Sequence, residues 1–247
     1  AKEGLISIMM GDGKITLVEV NSETDFVGRN KDFQSFVAGV VSTAHKELGM
    51  GELSVEELLT KPMEGGQAVD DALIDVVNGI RENISIKRAL SLDTSTAGTH
   101  AGAYVHGRVG MDTDLPGSVQ MGSSAAVVIL SGGPGGTVGG EMEVCKRLAM
   151  HAVASKPTYA AIADVPADVV ERETEVGRQQ MEEDGAAAKK PEIVERIIAG
   201  KVNKRLGEIC LLEQNHVAEE GAPKVGKFLS TAGFKLVTFS LWNLGSK

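Results

Sequence analysis

The sequence has little of several things, and each shortage excludes something. Only two of its 247 residues are cysteine, Cys145 and Cys210. They lie far apart with no Cys-x-x-Cys spacing, so neither a zinc cluster nor a disulfide framework is expected, and a reducing compartment fits better. Aromatic residues make up 4% of the chain, so the core must be built from Val, Ile, Leu, Ala and Met. No apolar run approaches the roughly 20 residues that a membrane-spanning helix needs. Positive charge is also short, because 25 Lys and Arg stand against 34 Asp and Glu, a net charge of -9. Binding nucleic acid through overall charge needs clustered cations. Protein or small-molecule partners are therefore expected, with no direct nucleic-acid binding and no membrane. The opening Ala1-Lys2-Glu3-Gly4 carries no signal-peptide pattern and reads as lying inside a mature protein.

What is present reads as alternating strands and helices. Residues 5–10 and 14–20 are β-prone runs around Gly11-Asp12-Gly13, the pattern of a hairpin. Residues 31–48 carry Phe33, Phe36, Val37, Val40, Val41, Ala44 and Leu48, one apolar stripe at helical spacing. Ser54-Val55-Glu56-Glu57 has capping-box form and predicts a short helix. A further helix over 68–80 is predicted with Leu73, Ile74, Val77 and Ile80 inward. Residues 84–90 alternate as a half-buried strand does, and 101–109 and 124–130 read as two more strands. The intervening 110–123 reads as a loop, and Ser131 to Gly140 as a glycine-rich connector. Helices are predicted over 141–154, from Pro166, from Pro191 and over 224–232, with a closing strand from Phe234 to Leu241. The two helices flanking Gly185 and Ala186–Ala188 suggest a projecting antiparallel hairpin. The order of elements indicates an α+β fold.

Most motifs select no chemistry. Gly132-Gly133-Pro134-Gly135-Gly136 sits between a strand and a helix, where a phosphate loop would be. No Gly-Lys-Ser/Thr follows, and Pro134 removes a backbone donor, so a connector is the better account. His45, His100, His106, His151 and His216 form no His-x-x-x-His pair or His/Cys cluster, which leaves a metal site without support. There is no Gly-x-Ser-x-Gly elbow. Asn83-Ile84-Ser85 is a formal glycosylation sequon in a chain without secretory features, and reads as chance. Neither a metal nor a cofactor is expected. One segment differs: in Asn21-Ser22-Glu23-Thr24-Asp25-Phe26-Val27 a strand ends and an aromatic follows an acid ahead of a helix. Local physics alone makes Phe26 a core anchor and Asp25 a turn or cap, since aromatics usually pack inside.

The run from Val18 to Asn30, with Thr24-Asp25-Phe26-Val27 at its centre, closely resembles the elongation factor Ts family. So do Glu82-Asn83-Ile84-Ser85-Ile86-Lys87-Arg88, with Arg81 where a glycine is usual, Tyr104-Val105-His106-Gly107, and Leu148–Pro157 around His151. Leu211-Leu212-Glu213-Gln214 and the final Phe234–Leu244 strand fit as well. The resemblance implies two related α/β subdomains with antiparallel sheets plus a protruding antiparallel helical hairpin. The corresponding division is 1–140 as the N-subdomain, 141–165 with 207–247 as the C-subdomain, and 166–206 as the hairpin insertion. It implies a non-enzymatic exchange factor whose partner is elongation factor Tu, with the ribosome as a further partner. Residue by residue, it assigns the GTPase contact to Thr24, Asp25, Phe26, Val27, Val109, Gly110 and His151, with the Asp25-Phe26 pair as a wedge near the Mg²⁺ site. The family opens with a small helical domain that grips the GTPase, and Ala1 stands where its linker ends. The 247 residues are thus expected to lack that domain, by removal or by nature. Its absence motivates an alternative: an elongation factor Ts-like core serving as a structural subunit of an organellar ribosome. The wording of the segment around Phe26 looks organellar, which implies the mitochondrial matrix, with a plastid or a bacterial cytoplasm as alternatives.

Overall fold

The computed structural model describes residues 2–110, 119–134, 140–185 and 190–246. Most of the predicted 110–123 loop, Gly135 and Gly136 of the glycine-rich segment, and Ala186–Ala188 lie outside the described residues. Strands β1 (Glu3–Gly11) and β2 (Lys14–Ser22) form the expected hairpin, with Leu5 opposite Val20. The 17-residue helix α1 (Lys31–Glu47) follows. Next come β3 (Gly51–Leu53), α2 (Val55–Thr60), α3 (Val69–Ile80), β4 (Ser85–Asp93) and β5 (Thr99–His106). Strands β6 (Gln120–Gly122) and β7 (Ser124–Gly132) precede helix α4 (Gly140–Ser155). The chain closes with α5 (Ala167–Glu183), α6 (Pro191–Ile209), α7 (Val225–Thr231) and β8 (Phe234–Asn243). The Ser54 hydroxyl accepts from the Glu57 N–H at 3.1 Å, as the capping pattern predicts.

The strands make two antiparallel sheets, ordered β3-β4-β2-β1-β6 and β5-β7-β8. The strand period of two explains how they stack. On β1 and β2, Leu5, Val18 and Val20 face α1, while Ile6, Ile8, Ile15 and Leu17 face the second sheet. On β7, Val127 and Ile129 meet that inter-sheet layer, while Ala126, Val128 and Leu130 pack on Cys145, Leu148, Ala149 and Ala152 of α4. The outcome is two α/β halves laid sheet to sheet, with α1 outside one and α4 outside the other. Gly102 on β5 is what lets α4 approach, because a Cβ there would lie 2.4 Å from the Lys146 nitrogen.

Glu19 is fully buried on the inter-sheet side of β2. Its carboxylate lies 2.7 Å from Arg88 Nε and 3.5 Å from Lys87 Nζ, and accepts from Asn21 Nδ2 and the Gly245 N–H. The Arg88 guanidinium also stacks 4.2 Å from the Trp242 ring centroid. One buried charge therefore ties the first sheet to the end of the chain.

Helices α5 and α6 form the hairpin. Arg205 pairs with Glu173, so a residue early in α5 meets one late in α6, as antiparallel packing requires, and Lys201 pairs with Asp184 at the end of α5. Met181, Ile198, Val202 and Leu206 form its seam.

Some expectations are corrected. Ile74 is 52% exposed, because the stripe on α3 runs through Leu73, Val76, Val77 and Ile80. Ile74 stands about 100° round the helix from Leu73. The three-residue β6 was hidden in the predicted loop, where it pairs Ser7 with Met121. Apart from these corrections, strands β5 and β7 share their sheet with β8.

Candidate partner-binding site

The site begins where β2 ends. The Ser22 hydroxyl donates to the Thr24 carbonyl at 3.0 Å, and the chain turns into a 3₁₀ turn over Asp25–Arg29. That turn is held at both ends. The Thr24 N–H donates to Glu82 Oε2 at 3.0 Å and the Thr24 hydroxyl donates to Glu82 Oε1 at 2.6 Å. At the far end the Asn30 N–H donates to the Val27 carbonyl at 2.9 Å, and buried Gln34 donates through Nε2 to the Gly28 carbonyl at 2.8 Å. Asn30 then caps α1, its side chain accepting from the N–H groups of Asp32 and Phe33. Val27 is 4% exposed and belongs to the α1-side core.

Between these anchors Phe26 is 76% exposed, and Asp25 beside it is exposed too. The reading of Phe26 as a core anchor is overturned. The turn is too short to bury both neighbours of the Phe26–Val27 step on one side, and Val27 and Gly28 take the interior positions. A Phe in solvent on a frayed loop would mean little, but this one stands on a turn held by five hydrogen bonds.

Glu82 reaches Thr24 because α3 stops sharply. Arg81 takes the left-handed conformation at φ 62°, ψ 34°, and its N–H closes on the Val77 carbonyl at 2.8 Å, the geometry of a helix end usually given to glycine. The chain reverses there and presents Glu82 to the turn, 58 residues away in sequence.

Val109 lies near the same core. Its N–H donates to the Met121 carbonyl at 3.1 Å, and its side chain packs on the apolar cluster that holds Val27 and Met121. Gly110 follows with φ 77°. Thr24–Val27, Val109 and Gly110 thus all attach to the first half of the molecule.

His151 does not join them at the surface. It is fully buried on α4. Nε2 lies 2.9 Å from Gln214 Oε1 and Nδ1 accepts from the Val217 N–H at 3.1 Å. Since an amide oxygen can only accept, the ring is the neutral Nε2–H tautomer. Burial holds its pKa below the ordinary value. The neighbouring ring of His216 lies 5.2 Å away, also fully buried. Burial, then the His151 ring and Arg147, push His216 down to about 4. What reaches solvent beside His151 is Met150 and Val217, 37% and 59% exposed. The histidine fixes the backbone under Val217 and does not itself offer an open ring.

No group of three or more His, Cys, Asp or Glu residues suited to a metal occurs among the described residues. The buried Cys145 thiol, pushed up to about 12 by desolvation, is unreactive. No helix among the described residues is long and apolar enough to cross a membrane. An exposed aromatic on a rigid turn is suited to insertion into another protein. Glu82 and Gln34 are the site residues that local patterns missed. Glu82 falls in a recognisable block, but nothing in its spacing pairs it with Thr24.

The chain is similar in sequence to known proteins. A family model described as "Elongation factor TS" matches residues 23–246. The chain is 34% identical over 246 residues to "Elongation factor Ts" of Francisella tularensis subsp. novicida, covering 99% of this chain and 74% of that protein. It is 34% identical over 263 residues to "Elongation factor Ts, mitochondrial" of Ostreococcus tauri, covering 98% and 71%. With "Elongation factor Ts" of Xylella fastidiosa it shares 32% over 248 residues, covering 99% and 74%.

Proposed function

As the chain belongs to the elongation factor Ts family, we propose that it promotes GDP release from elongation factor Tu, and that Phe26 is the residue it inserts. The observation that carries this reading is the exposed ring of Phe26 on a turn pinned at both ends. The partner GTPase holds GDP by charge-assisted contacts and Mg²⁺. An exchange factor needs no covalent chemistry to loosen them. It has only to bind the nucleotide-free state more tightly than the GDP state, and linkage then weakens GDP by the same factor. A ring wedged between elements of the partner near the Mg²⁺ site favours the nucleotide-free arrangement, with Asp25 as its polar companion.

Thr24 and Val27 hold the wedge from either side, and Val109 and Gly110 extend the same contact surface. His151 serves from beneath, through the Val217 amide. The compartment is part of the proposal: the mitochondrial Ostreococcus relative supports the mitochondrial matrix, while the Francisella and Xylella relatives leave a bacterial setting open. No specific observation favours a ribosomal subunit.

The test is the release of fluorescent GDP from elongation factor Tu, measured with and without this chain. Acceleration at substoichiometric amounts of the chain is expected. An unchanged release rate would overturn the proposal.

A further inference from the structure

Glu82 reaches the Phe26 turn from a distant segment and hydrogen-bonds Thr24. It takes both polar hydrogens that Thr24 offers, on two different carboxylate oxygens. The other restraints, from Ser22, Asn30 and Gln34, lie within a few residues of the turn and belong to the elements that bracket it. Removing Glu82 leaves the N–H of Thr24, the residue that opens the 3₁₀ turn, without its acceptor, and it frees Thr24 to leave the extended conformation it now holds at φ -122°, ψ 156°. The far anchors would still hold Gly28 and Asn30. The turn would then fray from the Thr24 side, which is the side Phe26 stands on.

We infer that Glu82 is a positioning residue that keeps the Phe26 turn preorganised for the partner, with no contact to the partner needed for this effect. The inference rests on the exchange reading above and adds a regulator of the same site. Its kinetic signature follows from population arithmetic. If only a fraction of the molecules holds the competent turn, the apparent affinity for the partner falls by that fraction, while the complex once formed is the same. Loss of Glu82 should therefore raise the concentration of this chain needed for half-maximal GDP release. The release rate at saturation should change little. Loss of the wedge itself, in Phe26→Ala, should lower the saturating rate.

Two hydrogen bonds to a charged acceptor at a half-buried site correspond to about a tenfold shift in the half-saturating concentration for Glu82→Ala. Thr24→Val, which keeps the N–H and loses the hydroxyl, should give a smaller shift in the same direction. Thr24→Ser keeps both donors and should return most of it. Because Thr24 and Glu82 act as one pair, the double variant Thr24→Val with Glu82→Ala should shift no further than Glu82→Ala alone.

The experiment titrates the wild-type and variant chains into elongation factor Tu loaded with fluorescent GDP. Alongside it, amide hydrogen exchange over residues 24–29 is measured in each free chain. Faster exchange in those amides with protection of β1 and β2 unchanged, together with the tenfold concentration shift, supports the inference. An unshifted half-saturating concentration in Glu82→Ala, with a wild-type chain that does accelerate release, overturns it alone. So does an equal loss at saturation, which would make Glu82 a contact residue or a general stabiliser. A wild-type chain without effect overturns the exchange reading, and with it the role assigned to Glu82. The amide exchange then still reports whether the clamp holds the turn.

Discussion

Phe26→Ala separates the two things a phenylalanine can do in a protein. In a core, truncation of Phe costs about 3–5 kcal/mol of stability. Phe33, fully buried in the first turn of α1, should behave so. Phe26 exposes 76% of its surface, so its removal should leave stability within about 0.5 kcal/mol of the parent. On the exchange reading, that exposed surface is what the partner would bury. A Phe surface of roughly 200 Å², three-quarters of it open, offers about 150 Å² for burial. At about 25 cal/mol per Å² that sets a ceiling near 4 kcal/mol. Ala keeps the Cβ and part of the backbone contact, so a loss of about 2–3 kcal/mol is expected, in the range of interface hot spots. This translates to a fall of roughly 30- to 150-fold in the efficiency of GDP release. The assay is stopped-flow release of fluorescent GDP from elongation factor Tu, paired with urea unfolding of the free variant. Two results refute the reasoning: release at the wild-type rate, or a stability loss of several kcal/mol, which would show that the ring packs internally.

Other perturbations test the scaffold. Glu19→Ala strands Arg88 and Lys87 over an uncharged cavity and should destabilise by about 3–5 kcal/mol, read as a drop in the urea midpoint; Glu19→Ala with an unaltered midpoint would show that the pair contributes nothing net. Gly102→Ala puts a methyl 2.4 Å from the Lys146 nitrogen, so α4 must lift, at about 1–3 kcal/mol. Thermal unfolding checks this, and an unchanged Tm would contradict the close approach. Arg81→Gly relieves a left-handed non-glycine residue. Set against the added freedom of the unfolded chain, a net gain of about 0.5 kcal/mol is expected, and a lowered Tm would argue against it. Acid should weaken the fold. His216 moves from an ordinary 6.5 to about 4 on folding, so between those values the unfolded chain holds a proton that the folded chain does not. Stability is then full above pH 6.5 and falls as the pH drops through that window, by up to about 3 kcal/mol. His45 and His151 are shifted in the same direction by burial. Urea titrations at pH 7.5 and 5 measure the slope, which should shrink in His216→Phe.

Local pattern carried much of the fold, for a physical reason. A strand buried on both faces or a helix with one apolar stripe declares itself over a few residues. Thus β1, β2, β7, α1 and the Ser54 cap were all readable. Pairing is not local, and there the reading ran out. Nothing in 99–132 announces that β5 and β7 will sit beside β8, more than a hundred residues on. Three-residue β6 is too short for a period to show. Ile74 was misplaced because an apolar residue next to a stripe looks like part of it until the helix phase is fixed by real neighbours.

The site was legible only in part, and the missing part is the one that gives Phe26 its meaning. Sequence alone favoured burying the ring, since a lone aromatic next to a helix start usually packs. Its exposure depends on which neighbours claim the interior, and that is decided by Val27, Gly28 and the partners of α1. Its rigidity depends on Glu82, delivered by the left-handed Arg81 at the end of another helix. His151 shows the converse. Its place in a recognisable block suggested a contact residue, yet Gln214 and the Val217 amide occupy both ring nitrogens, and burial keeps it neutral. A residue can matter to a surface by fixing the backbone beneath it. The division of labour is then consistent: polar groups, Glu19 and His151 fully buried and Glu82 half-buried, set the geometry, and on the exchange reading the one apolar side chain left in water on a pinned turn is the surface that a partner would bury.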